Sequence, residues 1–178
     1  MAGRSAADAI RNYKSDLELA FGCLEGFAKI EFAAPRHRTG AECSWILTGP
    51  GDFDGVELPE FGGRFEASQR LRIVECDPRE YGGRIRLTTT AYDYSLSGAN
   101  GRELWSMHWH PNAPNSAVTY PHIHLRPQFG RAHLATSRLL VEHAIHWAIE
   151  CGAPAHFDDW RNRLQHTISR HRAERGWS

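Results

Sequence analysis

Two stretches in the middle of the chain alternate apolar and charged residues one for one, and this restricts the fold more than any other feature. Leu71 and Ile73 are interleaved with Arg70 and Arg72, and after the turn DPREYGG the run Arg84-Ile85-Arg86-Leu87-Thr88 alternates in the same way. Period-two patterning sends successive side chains to opposite faces of a strand, so the chain needs a sheet with one buried and one wet face. Tyr92 and Tyr94 extend the second stretch on one face. SGANG is a turn signal, and Leu104 to His110 reads as the returning strand of a hairpin. Pro111, Asn112 and Pro114 interrupt that strand before another over Val118 to Leu125. The pattern predicts an antiparallel meander of about four strands or more.

On either side the spacing becomes helical. Ala6, Ile10, Tyr13, Leu17, Phe21 and Leu24 recur every three or four residues behind a capping Ser5, with Asp8 at the positive end of the helix dipole. A short strand is expected near Phe27 to Phe32. Past the meander, Thr136 is placed to cap a helix with Leu140, Ala144, Trp147, Ala148 and Cys151 along one side, ended by Gly152 and Pro154. Asp158 is placed to cap a last helix carrying Trp160, Leu164 and Ile168. The expected class is therefore α+β: an N-terminal helix, a meander, and two C-terminal helices on one face of the sheet. Leu140, Trp147, Leu164 and Ile168 are expected against Ile73, Ile85 and Leu87, with the alternating arginines pointing away. Residues 35–63, rich in turn signals, read as an irregular insertion in which Trp45-Ile46-Leu47 is the strand-like run. The 178 residues suit a single domain spanning 1–178.

Charge excludes little. There are 21 basic and 21 acidic side chains, with thirteen Lys and Arg against sixteen Asp and Glu up to residue 125 and a mildly basic remainder. No global field draws the chain to nucleic acid. No apolar run has the length of a signal peptide or membrane span, so the reading is a cytoplasmic protein without a membrane partner. Cys23, Cys43, Cys76 and Cys151 form no CxxC and read as reduced thiols. Nor is there a Walker loop, GxGxxG, GxSxG or HExxH.

Chemistry concentrates in LWSMHWHPNAPNSAVTYPHIHL. His108 and His110 stand two apart, as do His122 and His124, and on strands such pairs face the same way. If the two segments pair antiparallel, four imidazoles converge on one face. Clustered imidazoles serve proton transfer near neutral pH or hold a transition metal. No Asp or Glu lies between Leu104 and Arg126 to complete a mixed metal site. Arg126 is placed to hold an anion; Tyr92, Trp105 and Tyr120 are placed to contact a substrate. His133 and His171 fall outside the segment and are expected to matter little.

Residues 84–150 resemble a group of small uncharacterised bacterial proteins. The likeness rests on Tyr92-Asp93-Tyr94, a glycine-bearing turn, Leu104-Trp105, HWHPNAP, YPHIHL, and His133-Leu134-Ala135-Thr136-Ser137-Arg138, where Ala135 stands in place of a Pro. The order of these elements is more distantly similar to TumE-type toxins of toxin–antitoxin modules. That resemblance implies an RNA-cleaving toxin neutralised by an antitoxin partner. The leading expectation is thus metal-independent RNA cleavage with no cofactor, using His108, His110, His122 and His124 as acid and base and Arg126 as the phosphate cation. Two alternatives stay open. The same four histidines bind a divalent transition metal, or the face is a non-catalytic interaction surface.

Overall fold

A computed structural model describes residues 2–171 apart from 28, 35, 52–53, 113, 115–116 and 126–131. Among the described residues, helix α1 (Ala6–Phe21) is followed by strands β1 (Lys29–Ala33), β2 (Glu42–Thr48), β3 (Val56–Leu58) and β4 (Gly63–Glu75). The short helix α2 (Pro78–Tyr81) leads to β5 (Ile85–Ser97), β6 (Glu103–Trp109), β7 (His122–Leu125) and β8 (Leu134–Ala135). Helices α3 (Val141–Glu150) and α4 (Trp160–Arg170) complete the α+β fold.

The strands form one antiparallel sheet in the order β1-β2-β4-β5-β6-β7-β8, with β3 beside the lower half of β4. It is larger than the alternating residues alone foretell. Residues 35–63 are not an irregular insertion, because β2 lies between β1 and β4 and pairs Glu42 to Ile46 with Arg72 to Ser68. Cys43, Trp45 and Leu47 point into the core from β2, so this segment is structural despite its turn-rich flanks.

Ser5 accepts from the Asp8 amide, capping α1 as its sequence predicts. α1 packs on β5 and β1, α3 packs on β5, and α4 packs on α1 and α3. Leu140, Leu164 and Ile168 are buried in this layer, whereas Trp147 is 36% exposed, its ring edge-to-face with Trp105. Thr136 caps no helix: α3 starts at Val141 with Leu140 at its N-cap, and α4 is preceded by Asp159 rather than Asp158. Two acidic side chains are buried among the helices. Asp16 meets the Arg170 guanidinium at 2.8 Å, and Glu142 lies 3.8 Å from His171. Arg70, Arg72 and Arg84 point to solvent, Arg72 against Glu42 at 3.3 Å. No helix among the described residues is long and apolar enough to cross a membrane.

A bulge decides which side chains of β5 reach which face. Leu71 pairs with Thr89 but Arg70 pairs with Ala91, so Thr90 is an extra residue. Before it, Leu87 faces the helices; after it, Tyr92, Tyr94 and Leu96 do. One inserted residue reverses the parity of everything that follows it. Asp93 is thereby turned away from the core.

The buried face contains a polar knot. Gln69 Oε1 accepts from the Tyr13 hydroxyl at 2.6 Å and from Trp45 Nε1 at 2.9 Å, while its amide nitrogen donates to the Tyr94 hydroxyl. These bonds tie α1, β2, β4 and β5 at one point. Replacing Gln69 with Leu takes a shared acceptor from two buried donors and should cost about 2–4 kcal/mol. Urea denaturation of Gln69→Leu beside wild type measures this.

Candidate functional site

Pairing of β6 with β7 sets His108 directly opposite His122, and Ser106 opposite His124. Alternation leaves Trp105, Met107 and Trp109 buried on the helix side, so Ser106, His108 and His110 share the outer face. β7 continues into β8 with His122 opposite Ala135 and Ile123 opposite Leu134. Extending that register by one step brings His133 against His124. On the other flank, Asp93 of β5 is the direct partner of His108. The outer face therefore carries a contiguous patch of five imidazoles and one carboxylate.

Ring spacing divides the patch into two groups. His133 lies 4.8 Å from His122 and 4.5 Å from His124, and those two lie 5.0 Å apart, measured between centroids. Asp93 meets His108 Nδ1 at 3.1 Å and His110 Nε2 at 3.6 Å. Within each group one ligand atom per residue lies within 4.8 Å of the others. His108 joins the groups, its ring 5.6 Å from His122 and 5.4 Å from His124. No cysteine belongs to either group.

Hydrogen bonding orients the rings. His122 Nδ1 is 3.0 Å from the Tyr120 carbonyl oxygen, which can only accept, so Nδ1 carries the proton and Nε2 keeps its lone pair. Burial lowers the His122 pKa, opposed by this carbonyl and reinforced by His108, His133 and His110. Burial also lowers that of His110, against the pull of Asp93. For Asp93 burial acts upward, but the hydrogen bond and charge of His108, helped by His110, leave its carboxyl below the ordinary value. Neutral imidazoles beside an ionised carboxylate are the protonation states a metal ligand requires. Ser106, fully buried opposite His124, has a hydroxyl with no hydrogen-bond partner among the described residues.

The expectation of a site without a cofactor is overturned by this arrangement. The missing carboxylate comes from Asp93 on a neighbouring strand, and a further histidine comes from His133. The four sequence-adjacent histidines do converge on one face, their ligand atoms falling into two groups: His122 and His124 with His133, and His108 and His110 with Asp93. His133, set aside in the sequence, is thus part of the patch, whereas His171 is buried in the helix layer beside Glu142. Tyr92 and Trp105 lie on the opposite, buried face, where the Tyr92 hydroxyl accepts from the Leu139 amide. Neither lines the histidine face. Tyr120 is 44% exposed with its ring 6.0 Å from His122. Arg126 lies outside the described residues.

Asp93 also lines a groove of about 260 Å³ with Ile46, Asp54, Glu66, Ser68 and Ser95. A larger cavity of about 680 Å³ around Gly63, Gly98 and Gly101 contains no histidine, so volume alone does not identify the site.

The two depressed imidazoles give a signed prediction. Unfolded, His110 and His122 titrate near 6.5; folded, they take up protons only at lower pH. Their contribution to stability is complete above about pH 6.5 and is lost as the pH falls through the folded values. Asp93 acts in a separate window below its ordinary 3.8. Thermal denaturation in chelator should show the melting temperature falling between about pH 7 and 5.5, with a shallower fall in His122→Asn. Comparison of the chain with protein-family models, curated proteins and solved structures finds no match.

Proposed function

We propose that the protein binds a divalent transition metal through His122, His124 and His133 and serves as a metal-dependent enzyme. One observation carries this reading: three imidazoles from adjacent segments present ligand atoms within 4.8 Å of one another. Three histidines with an open position match the donor set of catalytic rather than structural zinc, and imidazole also suits copper, iron and nickel. Bound there, a metal supplies Lewis acidity to a polarised substrate oxygen. The chain's own residues do the rest. The Tyr120 carbonyl holds His122 in the tautomer that leaves Nε2 available, His124 and Ser106 form the buried floor, and Tyr120 offers an exposed aromatic edge to a substrate.

The resemblance to toxin–antitoxin ribonucleases makes RNA the substrate to assay first and an antitoxin the partner to seek. In this reading RNA cleavage requires the metal. Asp54, Glu66 and Asp93 line the neighbouring groove, so a phosphate backbone approaches this side of the patch against like charge unless a cation offsets it.

Chelator-stripped protein titrated with Zn²⁺ tests the site. His124→Ala and His133→Ala should each weaken binding by more than the roughly 10- to 100-fold typical of outer-shell partners. His146→Ala, on the solvent side of α3, should not change it. RNA cleavage should vanish in chelator and return with added metal. Metal bound without cleavage of any RNA restricts the function to metal binding, and no metal bound at micromolar concentration refutes the proposal.

A further inference from the structure

We propose that Asp93, His108 and His110 hold a second divalent transition-metal ion, so that the outer face carries two adjacent metal sites. The inference rests on the reading of His122, His124 and His133 as the first site.

Register places the three donors together. Asp93 and His108 are direct cross-strand partners, and His110 follows His108 by two residues on the same face. The spacing of their atoms fits an ion. A tetrahedral site with ligands at roughly 2.1 Å has edges of about 3.4 Å. Asp93 Oδ1 lies 3.1 Å from His108 Nδ1 and Asp93 Oδ2 lies 3.6 Å from His110 Nε2, each close to that value but measured from a different carboxylate oxygen. Hydrogen bonding accounts for the first contact but not for the second, which is too long for one. The two carboxylate oxygens are divided between the two rings, Oδ1 toward His108 and Oδ2 toward His110.

The donor set also differs from that of the first site. Two imidazoles and a carboxylate carry one negative charge, whereas the three-histidine group carries none, so the second site offsets part of the charge of its own ion. His108 adjoins both groups, with its ring within 5.6 Å of His122 and His124.

Cobalt titration of the full chain decides the matter. Stripped wild-type protein should take up two equivalents of Co²⁺. Asp93→Asn combined with His110→Asn should take up one, and His133→Ala should also take up one. Asp93 and His110 are 44% and 32% exposed at their side chains, so these changes leave the core intact. One equivalent in the wild type overturns the paired site while leaving a single-metal function standing. Two equivalents retained by the Asp93/His110 double variant also overturn it. No uptake at all defeats both readings. Should the double variant fail to fold, wild-type stoichiometry still gives the answer.

Discussion

Burial of the helix-side face of the sheet, under α1 and α3, determines where every other strand residue goes. Trp45, Phe65, Leu71, Tyr92, Tyr94, Trp105 and Met107 all lie on that face and are almost fully buried. Burying each large side chain is worth roughly 2 kcal/mol. Slipping β6 by one residue would bring Trp105, Met107 and Trp109 to solvent and press His108 into the core, a loss of roughly 6 kcal/mol before any cost of burying the ring. The histidines are therefore outward-facing because their neighbours are apolar. The patch inherits its geometry from the hydrophobic core on the opposite face of the sheet.

The same argument explains the bulge at Thr90. Continued alternation from Leu87 would send Asp93 inward and Tyr92 and Tyr94 outward. A buried carboxylate without a partner costs several kcal/mol, and two exposed tyrosines forfeit their burial. With one extra residue the tyrosines stack at 4.9 Å beneath the helices, and Asp93 meets His108 on the other face. The Gln69 knot then holds the tyrosine side in place by hydrogen-bonding the buried Tyr13 and Tyr94 hydroxyls.

Holding so many imidazoles together is inexpensive while they are neutral and costly once they are protonated. Depressed pKa values at His110 and His122 express that balance. A cation that binds only the folded patch stabilises the protein in proportion to its occupancy, and it does so where protons would act in the opposite sense. The helix layer is tied by different chemistry: buried Asp16 pairs with the partly exposed Arg170 and joins α1 to α4, remote in sequence from the patch histidines.

Much of this was legible in the residues. Alternation around Leu71 and Ile85 calls for a two-faced antiparallel sheet, helical spacing calls for the flanking helices, and the spacing of His108 with His110 and His122 with His124 puts each pair on one face. Period tells which face a residue takes within its own strand, because side chains alternate strictly there. It does not tell which residue lies across from it. Asp93 comes to His108 from another strand through a register reset by Thr90, His133 returns beside His124 only because β8 pairs with β7, and Trp105 and Tyr92, adjacent in sequence to site residues, are taken by the core. Asp93, between two tyrosines, and His133, ahead of Leu134, both stand in the motifs that carry the resemblance, but nothing in their spacing marked either as a site residue. Local pattern determined the sheet, the helices and the histidine pairs, and tertiary pairing alone decided their carboxylate and their third imidazole, since cross-strand neighbours are set by bulges and connections rather than by any one segment.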